Sequence, residues 1–190
     1  MEFSIAINNV YPIDLSVQKA IVEAATRRTF PKGTVLLTEG QILDEVYFIE
    51  KGLVRAFYRT GRKEITSWMA TEGRFIWPIP CYLLRRPSRE NIQLLETTTV
   101  LSISRQKVDE LKRNHKVFDD LQNRIMERYI VLYDLRIKIL MLKAEERLNA
   151  YEQLFPEFSQ RVPLRYIATF LGIDPAHLSR IRGSYKKNKQ

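Results

Sequence analysis

The chain has 190 residues, of which 45% are apolar and 28% charged, enough for one or two folded domains with cores of their own. No apolar run is long enough to span a bilayer, and the opening Met1-Glu2-Phe3-Ser4 lacks the basic-then-apolar signature of a signal peptide, so neither membrane nor secretory targeting is expected. The net charge of +9 points to a polyanionic partner, and the single cysteine, Cys81, excludes an intrachain disulfide and fits a reducing, cytoplasmic setting.

Residues 1–30 read as helical, with Ile13, Leu15, Val17, Ile21 and Val22 near helical spacing. Residues 31–105 change character. Glycines fall at 33, 40, 52, 61 and 73, and between them lie short β-rich runs: 35–37, 46–49, 53–58 and 65–68. Lys51-Gly52 and Thr60-Gly61 are expected tight turns. Further strands are expected at 92–95 and 100–104. Turn signals every 8–12 residues or so predict an antiparallel sandwich or barrel.

From about residue 106 to 155 the pattern is helical, with no glycine or proline between Pro87 and Pro156. Phe118, Leu121, Ile125, Tyr129, Leu132, Arg136 and Ile139 follow steps of three and four, broken in character only by Arg136. Met126, Ile130, Tyr133 and Leu140 widen the seam. The seam can pack on the β-rich region. Yet one face of so long a helix outruns a small barrel, and a second copy of the helix would cover the rest, so a homodimer is expected.

The C-terminal segment carries the strongest pattern. Ile167 and Leu171 share one helical face, Ala168 is small enough for a close crossing, and Gly172 suits a left-handed turn. Ile173 plugs the turn. Asp174 is a good N-cap, and Pro175 sits where its missing N–H costs nothing. Leu178 and Ile181 pack the second helix back on the first. Two helices joined this way form a helix-turn-helix. Its outward face is expected to be Ala176, His177, Ser179, Arg180 and Arg182. Arginine can grip guanine at two points. Residues 161–190 also concentrate the charge: Arg161, Arg165, Arg180, Arg182, Lys186, Lys187 and Lys189 stand against Asp174 alone. Residues 186–190 by themselves read as a solubilising basic tail. Duplex DNA is the expected partner.

The order of these parts resembles the Crp/Fnr superfamily of bacterial transcription regulators. The resemblance rests on three phrases: Val46 to Arg55, with its Tyr47-x-Ile49-x-x-Gly52-x-Val54 hairpin; Glu145-Glu146-Arg147-Leu148; and Tyr166-Ile167-Ala168 through Leu178-Ser179-Arg180-Ile181. It covers nearly the whole chain and is nearest the Bacteroidetes-type members, which end soon after the recognition helix. It implies an α+β architecture: an antiparallel β-roll of cyclic-nucleotide-binding type (a double-stranded β-helix), a long dimerisation helix and a C-terminal helix-turn-helix. The expected division is a sensor with the long helix at 1–143 and a DNA-binding unit at 144–190. Base contacts are implied at Pro175, Ala176 and Arg180, with Arg165 as a further DNA-binding residue and RNA polymerase as a further partner.

Two features depart from that family. The Gly-Glu pair that grips a cyclic nucleotide's ribose is missing from 75–84, and Arg89, near the family's phosphate-binding arginine, is followed by Glu90 and Asn91 rather than a hydroxyl residue. Leu132 and Tyr133 stand near the positions that touch the base. Cyclic AMP is therefore not expected to bind. The effector stays open between none, a lipophilic or aromatic molecule lined by Phe75, Trp77, Tyr129, Leu132 or Tyr133, and an anion held by Arg85, Arg86 and Arg89, with Asn91 also near the pocket. The second departure is that residues 183–190 leave no room for the family's wing hairpin. No cofactor, metal site or catalytic constellation is expected, since His115, His177 and Cys81 lack ligand spacing. Cys81 reads as a buried structural cysteine. The alternative to a regulator is a ligand-sensing or protein-interaction β-roll with a vestigial helical tail.

Overall fold

The computed structural model describes residues 3–76 and 78–187. It divides into two compact units, Met1–Ala56 with Met69–Tyr129, and Phe57–Trp68 with Ile130–Gln190.

The first unit opens with two short helices, α1 (Phe3–Asn8) and α2 (Leu15–Ala24). The helical expectation for 1–30 stops there. Residues 26–30 form strand β1 (Thr26–Phe30), antiparallel to a later strand, β8 (Thr98–Ser104). The apolar helical periodicity ends at Val22. The strand itself, Thr-Arg-Arg-Thr-Phe, alternates in burial toward its end, and its backbone groups find partners on β8 that a third helical turn would forgo.

Six further strands complete two four-stranded sheets: β2 (Val35–Leu37), β3 (Glu45–Lys51), β4 (Leu53–Thr60), β5 (Lys63–Thr71), β6 (Phe75–Ile76) and β7 (Asn91–Leu94). Their orders are β1-β8-β3-β6 and β2-β7-β4-β5. The pairings β1–β8, β3–β8, β3–β6 and β2–β7 are all antiparallel. The β-rich region thus begins at residue 26, earlier than expected, and includes a short helix, α3 (Ile79–Leu84). Gly52 makes the β3–β4 turn at φ +125°, and a Cβ there would lie 2.8 Å from the Thr98 Cα, so both conformation and space demand glycine.

One face of the first sheet carries Val46, Phe48, Leu101 and Ile103. It packs on α1, α2, α4 (Arg105–Asn114) and the start of α5 (Val117–Leu140), around Ile7, Ile21, Val108, Leu121 and Ile125. Ser104 caps α4 by accepting from the Lys107 amide at 3.4 Å. The long helix expected from the Phe118–Ile139 seam is α5, and the helical stretch before it is the separate α4, with residues 115 and 116 between them.

The seam read along α5 is covered within the single chain. Leu121, Ile125 and Ile139 are buried, and Phe118, Tyr129, Leu132 and Arg136 half-buried. The stripe left bare is a neighbouring one: Ile130, Tyr133, Ile137 and Met141 expose 63%, 39%, 60% and 82% of their surface. A charge at position 136 is tolerated because Arg136 donates to the Thr66 carbonyl at 3.1 Å and the Phe170 carbonyl at 3.4 Å, and its guanidinium stacks 4.9 Å from the Phe170 ring.

The rest of the second unit is α6 (Ala144–Leu154), a single 3-10 turn (Pro156–Phe158), α7 (Leu164–Leu171) and α8 (Pro175–Lys187). Leu148, Tyr151, Phe158, Phe170, Leu171 and Leu178 are buried there. The outer half of the β4–β5 hairpin joins this unit. The Thr66 and Thr169 hydroxyls lie 2.9 Å apart, and the Thr66 amide donates to the Thr169 hydroxyl at 3.3 Å. Helix α8 continues through Gly183 to Lys187, so residues 186 and 187, read as tail, are helical. Lys189 and Gln190 lie outside the described residues.

Candidate nucleic-acid interface

The site is built on the turn between α7 and α8. Gly172 ends α7 in the left-handed region at φ +63°, and the Ile173 amide donates back to the Ala168 carbonyl at 2.9 Å. The Gly172 amide also reaches the Ala168 carbonyl, and together these bonds close the helix end. Asp174 then caps α8: one carboxylate oxygen accepts from the Ala176 amide at 2.9 Å and the His177 amide at 3.2 Å. Pro175 is the first residue of the helix.

The interior of the pair is apolar. Ala168, Leu171 and Leu178 are fully buried, and Ile167, Ile173 and Ile181 nearly so. The polar positions consequently face outward. Pro175, Ala176, His177, Ser179 and Arg180 are all exposed. Arg182 departs from the expected face. It is half-buried, donates to the Ser159 carbonyl at 3.2 Å, and its Nε lies 3.9 Å from Glu152. One residue past Ile181, its side chain turns toward α6 rather than solvent. Arg165 is exposed at the start of α7, stacked 4.6 Å over the Tyr166 ring and donating to its hydroxyl at 2.8 Å.

Two residues that hold this geometry were not among the expected site residues. Arg147, in the Glu-Glu-Arg-Leu phrase, donates to the carbonyls of Leu142 at 2.8 Å, Leu171 at 3.0 Å and Gly172 at 3.3 Å. It satisfies the last carbonyls of α7 and ties α6 to the turn. Arg136 does the same for the Phe170 carbonyl. The signal for Arg136 was its intrusion on an apolar seam. Arg147 had no signal beyond its place in a recurrent phrase.

Of the expected ligand-pocket residues, Phe75, Arg89, Asn91 and Tyr129 belong to the first unit. Phe75 is half-buried on β6, and the Tyr129 hydroxyl donates to its carbonyl. Asn91 is buried, and its side-chain oxygen accepts from the Glu39 amide at 3.1 Å. Arg89, like Arg85 and Arg86, is exposed. Leu132 and Tyr133 belong to the second unit, Tyr133 with its side chain exposed. Trp77 lies outside the described residues. Cys81 is buried, accepting from the Leu43 amide at 3.3 Å. The sequence reading did not mark Arg55, a fully buried arginine on β4 whose Nε and Nη2 donate to Gln93 at 3.2 and 3.1 Å. In the run 53–58 it is the one charge among apolar and aromatic residues. Among the described residues no His, Cys, Asp and Glu group has a metal-binding arrangement, and no helix is long and apolar enough to cross a membrane.

Residues 27–115 match the family model of the cyclic nucleotide-binding domain. Comparison with curated proteins gives no match. Among solved structures, the fold is similar to that of the c-di-GMP responsive global regulator CLP from Xanthomonas campestris (TM-score 0.72, 13% identity, covering 93% of each chain). It is also similar to FixK2 from Bradyrhizobium japonicum (0.73, 14%, 87% of this chain and 86% of that one). A third likeness is a putative transcriptional regulator of the Crp/Fnr family from Eubacterium rectale (0.71, 15%, 95% and 88%). At these identities the likeness is one of fold.

Proposed function

We propose that this chain is a sequence-specific DNA-binding transcription regulator of Crp/Fnr type, working as a homodimer in the cytoplasm, with RNA polymerase as a further partner and no catalytic activity. The observation that carries the reading is the α7–α8 pair. It has a glycine turn, a capped helix start and an outward row of Ala176, His177, Ser179 and Arg180 on a strongly basic segment. Short side chains let the start of α8 approach base edges in a major groove, and Arg180 supplies a two-pronged donor. Residues 144–190 form the helix-turn-helix reader, and residues 1–143 the sensor with the long helix.

The same reading denies cyclic AMP as effector. A cyclic phosphate in a partly closed pocket needs a cation and donors to repay its desolvation. Arg89 is exposed and adjacent to Glu90, and the Asn91 side chain already accepts from the Glu39 amide.

Selection of bound fragments from genomic DNA by the purified full chain tests the function. An enriched motif, with affinity above that for scrambled DNA across a salt series, is the expected result. Equal affinity for both would end the regulator reading. Calorimetric titration with cyclic AMP is expected to show no binding. A micromolar dissociation constant, on the order of −8 kcal/mol, lost in Arg89→Ala, would overturn the denial.

A further inference from the structure

The β4–β5 hairpin ends in a cationic tip. Arg59, Arg62 and Lys63 are exposed around the Thr60-Gly61 turn. Gly61 has φ +59°, and a Cβ there would meet nothing within 4 Å, so the turn stands clear of the other described residues. Within residues 57–68 the one acid is Glu64, which lies 3.7 Å from Arg59. The Arg62 and Lys63 side chains have no partner among the described residues.

Behind the tip, the hairpin is pinned to the first helix of the helical pair. The Thr66 amide donates to the Thr169 hydroxyl at 3.3 Å, and the two hydroxyls lie 2.9 Å apart. Arg136 spans the same junction, donating to the Thr66 carbonyl at 3.1 Å and the Phe170 carbonyl at 3.4 Å. These bonds fix the strand to α7 within one compact unit that also holds α8. Lys63 is three residues from Thr66, about 10 Å along the strand at roughly 3.3 Å per residue. In a helix-turn-helix on DNA, the first helix crosses the phosphate backbone while the second enters the major groove. Cations fixed to the first helix are therefore held near passing phosphates. Each cation that meets a phosphate releases a condensed counterion, and the hairpin's fixed backbone leaves only side-chain freedom to be lost.

We propose that the β4–β5 tip is a second DNA-contacting element, in which Arg62 and Lys63 grip backbone phosphates beside the bases read by α8. The inference rests on the regulator reading and adds a contact outside the helical pair.

Fluorescence anisotropy tests it, with the purified full chain titrated onto a genomically selected duplex and a scrambled one between about 50 and 200 mM salt. In Arg62→Ala/Lys63→Ala the slope of log affinity against log salt is expected to flatten by about two, close to one per cation removed. Affinity should fall by the same factor on both duplexes and the enriched motif should stay the same, because phosphates carry no sequence information. Arg113→Ala/Lys116→Ala removes two exposed cations from the first unit and serves as the charge-matched control, expected to keep the wild-type slope. Circular dichroism confirms that both variants are folded. An unchanged slope in the hairpin variant would overturn the proposal and leave the tip to an acidic protein surface. Equal flattening in the control would also overturn it, by reducing the effect to net charge. The slope is read on both duplexes, so the regulator reading, which needs a preference for the selected one, fails on a separate observation.

Discussion

Arg180 and Arg182 sit two positions apart on one helix, are identical in chemistry, and have different work to do. Arg180 is exposed, while Arg182 is committed to the Ser159 carbonyl and to Glu152. Arg180→Ala is expected to cost about 1–3 kcal/mol of DNA affinity and to relax preference at one base pair. Arg182→Ala should instead lower the denaturation midpoint and leave the ranking of base preferences intact. Binding measured against a panel of single-base operator variants separates the two. An unchanged base preference in Arg180→Ala would remove it from the reading face. At this scale the sequence offered residue types and a basic run but could not say which arginine was free. That depended on α6 and the 3-10 turn folding back beside α8.

At the scale of elements, α6 is anchored by Tyr151, which is fully buried between the Phe155 and Phe170 rings. Its hydroxyl makes no hydrogen bond among the described residues. Burial pushes the phenol's pKa well above the ordinary tyrosine value, with the nearby Glu157 adding to the rise and Arg182 opposing it. The folded protein therefore holds this proton when the unfolded chain has begun to release it. The stabilisation is fully present below the unfolded pKa of about 10 and is lost as pH climbs from there toward the folded value. Tyr47 and Tyr82 are raised for the same leading reason, so the wild type should lose stability steadily above about pH 10. Tyr151→Phe removes a buried donor without an acceptor. It should be neutral or stabilising at pH 8 and show a shallower alkaline loss. Urea denaturation between pH 8 and 11 checks both. A variant that is less stable at pH 8 and equally alkali-sensitive would mean that the hydroxyl is bonded.

At the scale of the molecule, the single chain exposes an apolar row along α5 and just past its end: Ile130, Tyr133, Ile137 and Met141, at steps of three and four. Side chains of this size rarely stand in an exposed row unless something covers them. A second copy of the same helix, related by a two-fold axis, would lay this stripe against itself. Ile137→Glu is expected to halve the mass seen by analytical ultracentrifugation toward that of the 22.4 kDa chain, and to weaken operator binding by separating the two readers. A variant that sediments like the wild type would place the interface elsewhere. The seam read from the sequence, Phe118 through Ile139, is the face that packs at home. Both stripes have helical spacing, and periodicity carries no information about which is covered by the chain itself.

The sequence by itself determined the helical pair at the C-terminus, because glycine turn, N-cap and N1 proline act locally: Gly172, Asp174 and Pro175 adopt the geometry their chemistry prefers. It also determined most of the strands, since glycines at turns and runs of β-branched and aromatic residues are local properties too. Tertiary structure alone decided the rest. Residues 26–30 are a strand because β8 is there to pair with them. The helical stretch that starts at about residue 106 divides into α4 and α5 at residues 115 and 116. Arg136 and Arg147 lie at a distance in sequence from the carbonyls they satisfy, Phe170, Leu171 and Gly172. Of the pocket residues named from position in a family pattern, Phe75, Asn91 and Tyr129 belong to the first unit and Leu132 and Tyr133 to the second. Local conformational preference is written in neighbouring residues. Which surface is covered, which charge is matched and where packing falls short depend on contacts between residues far apart in the chain, and no window of sequence contains both partners.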